Sequence, residues 1–166
     1  MKIAIISDTH DHISNLNKVL DFIIAQNCEV LIHAGDLART ETLELICKKF
    51  NNPIYLVGGN ADLNSDEIFD LVKKYKNLNY KNKTLEVELD KIKFAITHKP
   101  LDSKLLGASG KYDVVVHGHD HKPWQSFINK TMILNPGNLC DQRFDSTFAI
   151  YNTKTKTPSL KILSKI

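Results

Sequence analysis

The chain has 166 residues, a length that suits one domain spanning 1–166 with a core of its own. Apolar residues make up 42% and charged residues 25%, the balance of a soluble globular protein rather than a disordered or membrane-embedded one. The net charge of +3 comes from scattered lysines with no basic run, which argues against nucleic acid as a partner.

Taken in order, Lys2–Ile6 reads as a buried strand, and Ser7 and Asp8 end its apolar stretch too early for a signal peptide. Residues 13–27 carry Leu16, Leu20, Ile23 and Ile24 at helical spacing. Val30–His33 is a second apolar run. Residues 40–50 read as a helix with an acidic first turn and Leu43, Ile46 and Cys47 on one face. A strand over 53–57 follows. Asn64, with Glu67 three residues later, marks a helix start, and Ile68, Leu71 and Val72 form its apolar stripe. Strands alternating with helices predict parallel pairing, and continuous apolar runs predict burial on both faces.

The second half is strand-rich. Residues 85–89 and Ile92–Thr97 flank the turn at Asp90 and Lys91 as in a hairpin, and 101–108 is the one helical pattern there. Val114–Val116, 132–134, 147–151 and 160–163 are further strands, while the asparagine-rich 77–82 reads as a loop. The expectation is a second sheet packed on the first with helices outside. Cys28, Cys47 and Cys140 are odd in number and form no Cys-x-x-Cys pair, which fits a reducing, cytoplasmic setting. No apolar run approaches the ~20 residues of a membrane helix.

Five apolar runs end in polar residues of one chemical kind: Asp8-Thr9-His10, His33-Ala34-Gly35-Asp36, Gly58-Gly59-Asn60-Ala61-Asp62, Thr97-His98, and His117-Gly118-His119-Asp120-His121. In α/β sheets, ligands bind beyond the carboxyl ends of the strands. All seven histidines, at 10, 12, 33, 98, 117, 119 and 121, fall in or beside these stretches, which surface scatter does not predict. Imidazole, carboxylate and amide oxygen together suit first-row divalent ions. The absence of cysteine from the set argues against a structural zinc site. A carboxylate such as Asp36 can bridge two ions, and a pair ~3.5–4 Å apart clamps both sides of an in-line phosphoryl displacement. Singly, Asp-x-His, Gly-Asp and Gly-Gly-Asn are more often turns or solvated loops and His98 a hydrogen-bonded core or loop histidine, while His-Gly-His-x-His alone is moderately specific. Their joint order and strand-end placement make that reading poor.

The set Asp8-x-His10, Gly35-Asp36, Gly59-Asn60, His98 and Gly118-His119-x-His121, with the Asn135-Pro136-Gly137 turn after it, resembles the calcineurin-like metallophosphoesterase superfamily over essentially the whole chain. The likeness is greatest to its small, cap-less phosphodiesterase branch, which includes the small retromer subunit. The resemblance implies an α/β fold, a two-sheet β-sandwich flanked by helices in four αββα layers. It implies one metal held by Asp8, His10, Asp36 and His121, and a second held by Asn60, His98 and His119, with Asp36 bridging. Mn²⁺ leads as the ion, with Ni²⁺, Fe²⁺, Co²⁺ and Zn²⁺ as alternatives. Asp36, Asn60, His98 and Asp62 are the candidate catalytic residues, Asp62 acting by orienting a ligand. The expected reaction is hydrolysis of a small phosphoester, preferably a diester, by hydroxide formed at the metal pair. A phosphomonoesterase, a nuclease and an interaction scaffold of the same fold are the alternatives, and homo-oligomerisation stays open. His12, His33, His117 and Lys99 are read as structural or solvated, Arg143 as a surface residue and Cys140 as a small apolar neighbour. Trp124 and Phe127 are read either as core or as an apolar wall beside the metals.

Two positions depart from the family pattern. Ala61 stands where many relatives carry a histidine that assists the leaving group, which leaves that task to a neighbour such as His117 or Lys99. Asn138 stands where close relatives carry serine, and is expected to alter substrate contacts.

Overall fold

Successive side chains of a strand face opposite ways, and the first strand of the chain uses both faces. In the computed structural model, which describes residues 1–62 and 65–166, Lys2–Ile6 (β1) sends Ala4 and Ile6 into one apolar cluster and Ile3 and Ile5 into another. The continuous apolar runs of Val30–His33 (β2) and Ile54–Val57 (β3) follow from the same burial on two sides. Helices Ile13–Ala25 (α1), Thr40–Lys49 (α2) and Ser65–Lys74 (α3) connect β1, β2, β3 and Leu78–Lys81 (β4) by parallel crossovers. Their apolar stripes, including Leu16, Leu20, Leu43, Ile46 and Ile68, pack on the Ala4 and Ile6 face. Ile24, counted in the first stripe from its spacing, is exposed instead. Asn64 lies outside the described residues.

Thr84–Leu89 (β5) and Ile92–Thr97 (β6) form the expected antiparallel hairpin. Pro100–Ala108 (α4), Val114–Val116 (β7), Trp124–Ile128 (β8), Thr131–Asn135 (β9), Thr147–Asn152 (β10) and Thr157–Ile162 (β11) complete the elements, with a short 3-10 turn at Leu163–Lys165. One sheet runs β11-β10-β1-β2-β3-β4 and the other β5-β6-β7-β9-β8. Ile3, Ile5 and Ile32 of the first meet Phe94, Ile96, Val114 and Val116 of the second. On the outer face of the second sheet, Leu106 of α4 packs against Ala95, Val115 and Ile133. The layers are therefore helices, sheet, sheet and helix. Among the described residues, no helix is long and apolar enough to cross a membrane.

Two readings of the sequence need correction. Residues 77–82 are not a loop: β4 pairs with β3, burying Leu78 and Tyr80 while Asn79 and Lys81 face outwards. Asparagine is poor in strands by propensity, but pairing to an existing edge and two buried anchors override that. Trp124 and Phe127 do not belong to the core, and neither lines the cleft beside Asn60 and His98. They stand 57% and 60% exposed on β8, at the edge of the second sheet.

For function, the outcome that matters is the shared direction of β1, β2 and β3, and of β6, β7 and β9. Parallel strands deliver their carboxyl ends to one side.

Candidate metal centre

The loops after β1, β2, β3, β6 and β7 bring all seven residues expected to hold metal into one cluster of two lobes. In the first, His10 Nε2 lies 3.3 Å from His121 Nε2 and 3.6 Å from Asp36 Oδ2. His121 Nε2 lies 3.4 Å from Asp8 Oδ1. In the second, His98 Nε2 lies 3.1 Å from Asn60 Oδ1 and 3.3 Å from His119 Nδ1, which is itself 2.8 Å from Asn60 Oδ1. Asp36 Oδ2 joins the lobes, since it is also 3.3 Å from His98 Nε2.

The donor chemistry fits divalent ions. The carbonyl of Ala34 can only accept, so His98 Nδ1 must carry the proton of their 2.8 Å hydrogen bond. In the neutral ring, Nε2 then turns a lone pair towards an amide oxygen, a carboxylate oxygen and a second imidazole nitrogen. A proton placed there satisfies one of these pairs, whereas a cation at their focus satisfies all of them. Donors bound at ~2.1 Å around one ion stand ~3.0–3.4 Å apart, close to the observed spacings. Asp36, His98 and His119 form one group with ligand atoms in mutual reach, and Asp8, His10 and Asp36 another.

Electrostatics point the same way. Burial pushes the Asp8 carboxyl up to about 7, against the Ser7 hydroxyl and the His98 ring. Burial also acts to raise Asp36, but its hydrogen bonds from His98 and the Ala61 N–H outweigh that and bring it down to about 2. His98 is disfavoured as a cation by burial, yet the Asp36 carboxylate more than compensates and raises it above the ordinary histidine value. Burial, reinforced by His10, holds His121 below that value. A buried pair of carboxylates among imidazoles is an environment that a cation relieves.

The backbone carries strain at this cluster. Asp8, His10, Asp36, His119 and His121 all have positive φ, between 42° and 75°. A left-handed non-glycine residue costs roughly 1–2 kcal/mol. Such residues gather at functional sites, where surrounding structure holds them. The loops also approach each other very closely. A β-carbon at Gly59 would collide with the Asp36 backbone nitrogen and carboxylate, and one at Gly118 with the Ser7 hydroxyl.

A layer of supporting residues lies behind the cluster. Asp62 accepts from the N–H groups of Leu37 at 2.6 Å and Ala38 at 2.8 Å through one oxygen, and from Gly59 at 2.6 Å through the other. It ties the Asp36 loop to the Asn60 loop, the place of a positioning residue. Asn138 is fully buried, which removes it from any substrate contact and corrects the expectation drawn from its departure from serine. It donates to the His121 carbonyl and accepts from the Cys140 backbone and thiol. Cys140 Sγ lies 3.6 Å from His121 Nδ1, so Asn138 and Cys140 together brace His121. Spacing in the sequence carries no sign of this pair. His12 caps α1 through Asn15 N, and His117 is buried with Nδ1 on the Gly118 carbonyl. Arg143 is exposed, in a shallow depression with Asp141 and Phe144.

His33 makes the most distinctive supporting contact. Gly35 N–H donates to Nδ1 at 3.2 Å, so Nε2 carries the proton and donates to Thr9 Oγ1 at 2.8 Å. The ring braces the Asp8–His10 turn against the Asp36 turn and is neutral. Burial lowers its pKa from 6.5 to about 4. The unfolded chain takes up this proton below 6.5 while the folded chain refuses it down to about 4. The associated stability is therefore complete above pH 6.5 and is lost as pH falls through that window, by roughly 3 kcal/mol. Urea unfolding of the chelated protein at pH 7.5 and 4.5 should show the wild type losing stability relative to His33→Gln on acidification, the opposite contribution of the raised Asp8 carboxyl being common to both. Equal pH slopes would refute it.

Comparison with known proteins agrees with this geometry. The model of the calcineurin-like phosphoesterase superfamily domain matches residues 1–156. A phosphodiesterase of Methanocaldococcus jannaschii is 35% identical over 145 residues, which span 84% of this chain and 85% of that protein. Among solved structures, an archaeal phosphodiesterase superposes with a TM-score of 0.90 at 30% identity, covering 98% of this chain and 99% of that one. The Yfce phosphoesterase of E. coli superposes with a TM-score of 0.68 over 98% of this chain and 100% of its own, and at 16% identity it supports the fold alone. With five strand ends converging on one Asp, Asn and His cluster and the family match running over nearly all of its length, the chain belongs to the calcineurin-like phosphoesterase superfamily.

Proposed function

We propose that this phosphoesterase is a phosphodiesterase working with two divalent ions, Mn²⁺ foremost, one held by Asp8, His10, Asp36 and His121 and the other by Asp36, Asn60, His98 and His119. The observation that carries the reading is the position of Asp36 Oδ2, within 3.6 Å of His10 Nε2 and 3.3 Å of His98 Nε2. One oxygen serves both lobes. When bound, such ions lower the pKa of water and offset charge on phosphoryl oxygens.

The side chains do the rest. Asp36 sets the distance between the lobes, while its other oxygen accepts from Ala61 N–H at 2.8 Å. The Ala34 carbonyl fixes the His98 ring through Nδ1. His119 is held from behind as well, its N–H donating to both Asp8 oxygens at 3.1 and 3.0 Å. Support for a diester comes from the open mouth of the site, where a cleft beside Asn60 and His98 gives a second ester arm room. The names of the two archaeal relatives favour the same substrate class.

The test begins with exhaustive chelation, which should abolish cleavage of an aryl phosphodiester. Mn²⁺ should restore it better than Ca²⁺, with about two ions per chain by elemental analysis. Full activity in the chelated protein would sink the proposal.

A leaving-group series examines the chemistry more closely. Ala61 can neither donate a proton nor stabilise charge, and His117 is turned to the Gly118 carbonyl. General acid catalysis is typically worth 10²–10⁴-fold, so its lack should matter most for poor leaving groups. Aryl diesters should be cleaved far faster than simple alkyl ones, and Ala61→His should narrow the gap. A flat series in the wild type would show that Lys99 or another group supplies the proton.

A further inference from the structure

We infer that the cleft beside the Asn60 and His98 lobe is a specificity subsite for the arm of the diester that does not leave, selecting an apolar group that carries its own negative charge. The inference rests on the phosphodiesterase reading. The cleft encloses about 640 Å³, within the range of small-molecule sites, and its inner rim is Gly59, Asn60 and His98.

Two features give it a chemical character. Lys83, in the turn between β4 and β5, and Lys99, between β6 and α4, both line it. Neither has an ion-pair partner among the described residues. Asp102 is the one carboxylate residue that lines the cleft with them. Leu101 and Leu105 line it as well and are 68% and 65% exposed. They are four apart on α4, so they share a face, one turn above the other. The face of α4 that meets the second sheet is made by other residues, Ser103 and Gly107, with Leu106 beside them. Leu101 and Leu105 thus leave most of their apolar surface in water. A ligand laid in the cleft covers them within reach of the two lysines that line it. The bare phosphoryl group needs neither leucine, so the apolar requirement belongs to the ester arm.

The test holds the leaving group constant and varies the other arm. Methyl 4-nitrophenyl phosphate and 4-carboxybenzyl 4-nitrophenyl phosphate share 4-nitrophenolate as leaving group. KM for the second should be about tenfold lower. Leu101→Ser/Leu105→Ser and Lys83→Gln should each shrink that ratio to about threefold, and benzyl 4-nitrophenyl phosphate separates the apolar part of the gain from the charged part. Independently of turnover, methyl 4-carboxybenzyl phosphate titrated into the chelated protein should shift the Leu101 and Leu105 methyl resonances. If both nitrophenyl diesters are cleaved with equal KM and the methyls do not shift, the subsite is refuted while the phosphodiesterase reading stands. If neither is cleaved, the phosphodiesterase reading fails and the methyl shifts alone decide the subsite, their presence sustaining it and their absence refuting it.

Discussion

Replacing Asp36 by asparagine should lower kcat/KM on an aryl diester by about 10³-fold, which corresponds to roughly 4 kcal/mol of barrier. The substitution keeps size and shape, and the amide oxygen can still accept from the Ala61 N–H. It removes the negative charge that stands between His10 and His98. Elemental analysis should find the ion content falling from about two per chain towards one. The loss should also be visible without turnover. In the chelated protein, His98 is held above its ordinary pKa chiefly by Asp36, so its titration by NMR should move down in the variant. Activity within tenfold of wild type, with two ions retained, would remove Asp36 from the bridging position.

Loading the chelated protein with Mn²⁺ should raise its thermal midpoint by about 8–16 °C. An ion present at 1,000 times its dissociation constant stabilises the fold by about 4 kcal/mol. For a domain of this size each kcal/mol moves the midpoint by roughly 2–4 °C. The physical source of the gain is local. Metal-free, the cluster must hold its own five left-handed residues and a buried carboxylate whose pKa burial pushes to about 7. A bound cation offsets the carboxylate and helps fix the strained turns. Scanning calorimetry of chelated and loaded protein measures the shift directly, and Asp36→Asn should lose most of it. A midpoint indifferent to Mn²⁺ in the wild type would rule out tight binding.

Much of this fold and site is legible in the amino-acid sequence, for identifiable reasons. Runs such as Ile3–Ile6 and Val114–Val116 are apolar throughout because both faces of their strands are covered, and few other structures need that pattern. The cluster is legible because several histidines in a row, set after apolar strands, have few uses apart from metal. The misses lie at edges. β4 has a neighbour on one side only, and its Asn79 and Lys81 speak for a loop until β3 is seen beside it. β8 is also an edge strand, and its exposed Trp124 and Phe127 gave no alternation with a buried face. Asp62 is legible as a supporting residue, but the partners of the supporting residues are illegible for another reason. His33 meets Thr9 across 24 positions and Asp62 meets Leu37 across 25. Asn138 reaches His121 across 17. Nothing periodic links such partners, and only the packed turns reveal them.

His119 and His121, neighbours in sequence, serve different lobes, and each lobe draws its remaining donors from distant parts of the chain. His10 lies 111 positions from His121, and Asn60 lies 38 from His98. No short segment contains a whole lobe, so neither exists until both sheets have formed and docked. Such long-range closure comes late, because its loop entropy must be overcome before the contacts form. An ion therefore finds its full set of donors only after the transition state for folding has been crossed. Interactions absent from that transition state act on the unfolding rate and leave the folding rate almost untouched. The consequence is kinetic: the proposed metal pair would not guide this chain to its fold, but would lengthen the time the fold persists once reached.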